Sequence, residues 1–159
     1  MATITHRVEI SASISEVYEV ISTLGGLRSW WTTAIQGSPE KGGELRLGFG
    51  EGLTITLEVT EARKNKCLVW AVTSATFLLG KEWLGTKITF QLTEGQNRDT
   101  VVLFEHSNWK NAATSQGASA TQWERSLLSL KKLCENGKGE PETPKKIQTK
   151  KASGWFPTA

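Results

Sequence analysis

The sequence predicts an α+β domain: one antiparallel sheet, covered on a single face, packed against one long helix near the C-terminus. Three observations carry this. Residues 119–137, SATQWERSLLSLKKLCENG, set Trp123, Leu127, Leu130 and Cys134 at the i, i+4, i+7, i+11 spacing of one helical face. Most of the chain before it alternates apolar and polar residues in short runs separated by turn residues, the pattern of strands with one buried face. Runs of strands flanked by helices, with no internal repeat, argue for α+β rather than alternating βα units.

The elements follow in order. Ile4, His6, Val8 and Ile10 alternate with Thr5, Arg7 and Glu9, a half-buried first strand. Ser13 and Glu16 have the spacing of a capping box, with Ala12 and Val17 as a staple, and open a short helix on Ile14, Val17 and Ile21. Gly25-Gly26 is expected to break it before LRSWW makes another turn. Pro39 to Gly43 is a loop. Leu45, Leu47 and Phe49 then alternate with Glu44, Arg46 and Gly48, and Gly50-Glu51-Gly52 is a tight turn. Leu53, Ile55, Leu57 and Val59 form the clearest strand. Leu68, Trp70 and Val72 continue the inward row after a turn at 63–66, with Ser74 next on that row. Phe77-Leu78-Leu79 breaks the alternation, as a bulged strand or a lid. Ile88, Phe90 and Leu92, then Val102, Phe104 and His106, face inward from two strands joined by the polar loop EGQNRD. Ser119 with Gln122 has the form of a second capping box, Ala120, Leu128 and Leu133 widen the helix stripe, and Ser129 falls on its polar side. Asn136-Gly137 ends the helix.

At 159 residues the chain suits one domain with a sizeable core. Its charge is uneven: residues 1–136 hold 14 Lys/Arg against 14 Asp/Glu, so the net +3 lies in residues 137–159. The body thus carries no charge signal for nucleic acid. No run approaches a membrane span, and MATITHRVEI lacks the regions of a signal peptide, so the expected location is cytoplasmic. Residues 1–139 read as the domain. Residues 140–159, Pro- and Lys-rich, read as a basic tail in which Trp155 and Phe156 are candidate anchors.

Metal-site and nucleophile motifs are absent, and no cofactor is expected. Cys134, on the helix stripe, reads as a small hydrophobe, Cys67 and Glu105 as outer-face residues. The inward aromatics are Phe49, Trp70, Phe90, Phe104 and Trp123, with Trp30, Trp31, Trp83 and Trp109 near element ends. Such a set is either a closed core or a cavity wall, and periodicity does not separate the two. His6 and His106 both have inward parity. His106 is the one candidate for acid–base catalysis, and His6 is a second polar candidate.

Several motifs in sequence order resemble the helix-grip (birch-pollen-allergen-like, START-like or SRPBCC) superfamily. They are ITHRVEISASISEVYEVIS at 4–22, GLRSWW at 26–31, KGGELRL at 41–47, CLVW at 67–70, TKITFQL at 86–92, FEHSNW at 104–109 and QWERSLLSLKKLCENGKGEP at 122–141. Within it they are most similar to the group like the C-terminal domain of the activator of the heat-shock protein 90 ATPase. The resemblance implies a curved sheet of about seven strands gripping the C-terminal helix, with its first and last strands paired. It also implies an apolar cavity walled by Trp30, Phe49, Ile55, Leu57, Trp70, Phe90, Phe104, His106, Trp123 and Leu127. The implied function is to bind a lipid-like or aromatic small molecule. A cyclase or dehydratase using the same cavity is the alternative, and a chaperone-interaction module a further one.

Overall fold

The structure is a computed structural model that describes residues 3–50, 52–76, 82–109 and 116–144. Seven antiparallel strands form one sheet: β1 (Ile4–Ile10), β2 (Ile35–Gly37), β3 (Glu44–Gly48), β4 (Thr54–Arg63), β5 (Cys67–Ala75), β6 (Lys87–Glu94) and β7 (Thr100–Ser107). Their order is β1-β7-β6-β5-β4-β3-β2. Two short helices, α1 (Ile14–Ser22) and α2 (Leu24–Trp30), follow β1, and the long helix α3 (Gln116–Asn136) ends the domain. The sheet curves around α3 in the helix-grip arrangement. Apart from Ser74, the inward rows on β3, β4, β5, β6 and β7 are buried, together with Trp123, Leu127 and Leu130 of α3.

Local chemistry sets the boundaries. Ser13 and Glu16 form the capping box reciprocally, which fixes the entry to α1. The break between the helices falls at Thr23, an extended residue that caps α2, and not at the glycines. Gly25 and Gly26 belong to α2. A Cβ on Gly26 would lie 2.3 Å from the Val20 carbonyl oxygen, so glycine there lets the two helices meet. Strand β2 is too short to carry a period, and pairs with β3 from Ile35 to Gly37. Ser74 is exposed, contrary to its inward parity, because the β4–β5 register shifts between Thr56 and Leu57.

Helix α3 starts at Gln116, so Ser119 is not its cap but an interior residue whose hydroxyl faces the core. Leu128 does not widen the apolar stripe and is exposed, whereas Ser129 is buried. The reason is the chain beyond the helix, which folds back over that side. Ser129 Oγ accepts the Glu140 amide, the Glu142 amide donates to the Trp31 carbonyl, and Gln122 Nε2 donates to the Glu142 carboxylate. Packed backbone thus continues through the first residues assigned to the tail. Trp155, Phe156 and the segment Phe77-Leu78-Leu79 lie outside the described residues, as does Glu51 of the predicted turn. At the other end of the interface, Lys131 donates to the Glu9 carbonyl and Glu135 accepts the Ser11 amide. These bonds align α3 with β1.

Candidate functional site

The space between sheet and helix is occupied by an aromatic column. Trp31, just past α2, lies between Trp30 and Trp70, with ring centroids 5.6 and 5.3 Å away and planes within 11° and 6° of parallel. It also contacts Trp123 of α3 at 5.2 Å, and Trp83 stacks on Trp123 at 5.9 Å. Phe49 meets Trp31 edge-on, Phe90 meets Trp70, and Phe104 meets Trp123 at 4.4 Å. These are the offset and edge geometries that aromatic quadrupoles favour. Trp30 is held from α1, its indole N–H donating to the Val20 carbonyl.

At one end of the column sits His106, fully buried on β7. Its Nδ1 accepts the Trp123 indole N–H at 3.0 Å, and its Nε2 lies 2.8 Å from Thr86 Oγ. An indole nitrogen only donates, so Nδ1 carries no proton and the neutral ring is protonated at Nε2. Nε2 then donates to Thr86 Oγ1, whose hydroxyl in turn donates to the Trp83 carbonyl. Trp83 donates to Ser119 Oγ, and Trp109 donates to the His106 carbonyl. Trp83 and Trp109 also flank the imidazole at 4.6 and 4.5 Å. Burial pushes the His106 pKa down to about 3. Both ring nitrogens are engaged and the cation is disfavoured, so this histidine is built as a neutral structural hub.

Every aromatic residue expected to line a cavity lies in this assembly: Trp30, Phe49, Trp70, Phe90, Phe104 and Trp123. Ile55, Leu57 and Leu127 are buried in the core around it. The rings touch one another, so much of the expected hollow is filled by side chains. His6 faces the same side of the sheet as His106, and the register sets Ile4 opposite His106 and His6 opposite Phe104. His6 packs on Phe104 at 6.1 Å, half-buried, and its Nε2 has no hydrogen-bond partner among the described residues.

Sequence reasoning left Trp31, Trp83, Trp109, Thr86 and Ser119 out of the site. Thr86 was legible, since it shares the parity of Ile88 and Phe90. The three tryptophans lie outside regular strands, where no period assigns a direction. Cys134 is half-buried, and burial pushes its thiol up to about 12, which leaves it unreactive. Among the described residues no three His, Cys, Asp or Glu side chains cluster as metal ligands. No described helix is long and apolar enough to cross a membrane.

Comparison with known proteins agrees with this architecture. The family described as "Activator of Hsp90 ATPase homolog 1-like protein" matches residues 11–135. The Aha1 dimer from Colwellia psychrerythraea, solved in solution, is 35% identical, with a TM-score of 0.75 over 87% of this chain and 100% of that one. MLL2253 from Mesorhizobium loti has the same fold at 19% identity, with a TM-score of 0.73 over 83% of this chain and 96% of its own. CalU16 from Micromonospora echinospora does so at 17% identity, with a TM-score of 0.65 over 88% and 78%. No match is found among curated protein sequences. The family match spans most of the chain, and the solved relative aligns over its whole length in the same fold: the chain belongs to the Activator of Hsp90 ATPase homolog 1-like family, within the helix-grip superfamily.

Proposed function

We propose that this protein is a non-catalytic binder of an apolar small molecule, aromatic or lipid-like, held between the sheet and α3. The observation that carries the reading is the Trp30–Trp31–Trp70 sandwich. Its central ring is carried by the C-cap residue of α2, at the end of that helix, whereas the outer two sit within α2 and β5. When Trp31 swings aside, it leaves a slot with flat apolar walls, and a ligand restores the stacking it gave up. The polar groups at the His106 end of the column are satisfied by one another, which favours binding over a cyclase- or dehydratase-type reaction. His106 in particular has no free lone pair to act as a base. Native mass spectrometry of the freshly purified protein tests this. A bound organic molecule lost on denaturation is the expected result; an apo mass that no added apolar compound shifts would remove the reading.

The similarity to a dimeric relative supports a second statement: this chain also pairs with itself. Size measured in solution across a range of concentrations tests it, and a single-chain mass throughout would contradict it.

A further inference from the structure

We propose that Glu142 is a positioning residue of the ligand site: the strap that ends on it, residues 139–142, latches Trp31 in the column and so sets how readily an apolar ligand enters. The proposal rests on the reading that a ligand takes the place of the Trp31 ring, and it adds what holds that ring there.

Trp31 is the C-cap of α2, and its N–H closes the helix on the Leu27 carbonyl. Its own carbonyl is one of the acceptors that a helix end leaves without a partner inside the helix. The strap supplies that partner. The Glu142 amide donates to the Trp31 carbonyl, and the Glu142 carbonyl accepts the Thr33 amide, both at 2.9 Å. Thr32 and Glu142 thereby form a parallel bridge. Thr32 is fully buried, and its hydroxyl donates to the Gly48 carbonyl at the end of β3, 2.8 Å away. Residues 31–33 are therefore held alternately by strap and sheet. The Trp31 ring has aromatic neighbours in Trp30, Trp70, Trp123 and Phe49. So closely packed a ring has little room to turn about its own side-chain bonds, and it clears the column when the backbone bearing it moves.

The strap is itself seated on α3. Gln122, Ser126 and Ser129 recur there at i, i+4, i+7, a polar stripe in which both serines are buried. Two of the three grip the strap: Gln122 Nε2 donates to the Glu142 carboxylate at 2.9 Å, and Ser129 Oγ accepts the Glu140 amide at 2.7 Å. Gly139 runs so close to the backbone of Ser29 on α2 and Ser129 on α3 that no Cβ fits there. Glu142 joins the two halves of the device, its side chain held by α3 and its backbone holding Trp31. A ligand that needs Trp31 displaced binds only the fraction of molecules whose latch is open, so its apparent Kd is the intrinsic Kd divided by that fraction. By linkage, a bound ligand loosens the latch by the same factor that the latch weakens binding.

The test compares the full-length wild type with Glu142→Pro, which removes the N–H given to Trp31, and with Gln122→Ala, which releases the Glu142 carboxylate. Thr143→Ala, at an exposed neighbour, is the control. Each is titrated with N-phenyl-1-naphthylamine, and near-ultraviolet circular dichroism reads the stacked indoles. The expected Kd for Glu142→Pro is about fivefold lower than for the wild type, the factor that one hydrogen bond of ordinary strength corresponds to. Its indole signal should shift toward that of Trp31→Ala. Gln122→Ala should move both in the same direction by less, and it replaces Glu142→Pro should that variant fail to fold. Thr143→Ala should match the wild type. In the wild type the probe should speed hydrogen exchange at the Thr33 and Glu142 amides. A strap that only supports the fold would lower the melting temperature of Glu142→Pro and leave its Kd and indole signal unchanged. That result, or equally tight binding by Thr143→Ala, overturns the latch and leaves ligand binding intact. No saturable binding by any of these proteins, Trp31→Ala included, overturns both.

Discussion

Trp123 of α3 donates its indole N–H to Nδ1 of His106 on β7 across 3.0 Å, inside the core. This bond joins the long helix to the sheet at a named point and decides the protonation of the only fully buried histidine. It also turns a residue with catalytic chemistry into a structural one.

Acid should therefore weaken the fold through His106. Its folded pKa, about 3, lies below the unfolded value near 6.5, so the unfolded chain binds the extra proton between these limits. The stability due to the neutral ring is fully present above the unfolded pKa and is lost as pH falls from about 6.5 toward 3, by up to ~1.4 kcal/mol per unit. Carboxylates titrate in the same range, so the readout is a difference. Urea unfolding of the wild type and His106→Phe between pH 4 and 8 should show a shallower acid loss in the variant. Parallel curves would show that His106 does not carry it.

Removing Trp31 should open the column. Trp31→Ala deletes a ring that contacts Trp30, Trp70, Trp123 and Phe49, and should cost about 3–5 kcal/mol, as large-to-small core changes do. Added indole should recover part of this loss, because an apolar cavity takes up an apolar guest of matching shape. Thermal melts with and without indole measure both effects. A loss under about 1 kcal/mol would show that the column does not pack as described.

Gly139 reports on the segment folded back across α3. A Cβ there would lie 2.5 Å from the Ser29 carbonyl oxygen and 3.0 Å from that of Ser129, both backbone atoms that do not yield easily. Gly139→Ala should destabilise by about 1–3 kcal/mol. It should also speed hydrogen exchange at the Glu142 and Thr33 amides, which bridge this segment to the loop after α2. Unchanged exchange at those amides would contradict the contact.

The fold was legible because period-two alternation survives through most of each long strand, failing only near the β4–β5 register shifts, and because the residues of α3 that face the sheet recur at helical spacing. What escaped had no period to carry it. Strand β2 has three residues, too few to alternate. The start of α3 was masked by a capping-box pattern at Ser119, a residue that instead accepts a hydrogen bond from Trp83. Leu128 and Ser129 exchange their expected sides because residues 139–142 cover the polar flank of the helix, a tertiary effect invisible to spacing. Aromatic parity identified the column's walls on the strands, but not Trp31, which caps α2 outside any strand and fills the space between them. His106 was found by parity, while its inertness depends on two partners distant in sequence, Thr86 and Trp123.

The central claim is that an apolar ligand binds between the sheet and α3 where Trp31 stands. Titration of the wild type and Trp31→Ala with the neutral fluorophore N-phenyl-1-naphthylamine tests it most directly, by quenching of tryptophan emission and sensitised emission from the probe. The account predicts saturable binding by the wild type with a Kd of ~1 μM or below, about −8 kcal/mol. It predicts tighter binding by Trp31→Ala, because the ligand no longer has to displace the ring. No saturable signal from either protein, or weaker binding by Trp31→Ala, would contradict it.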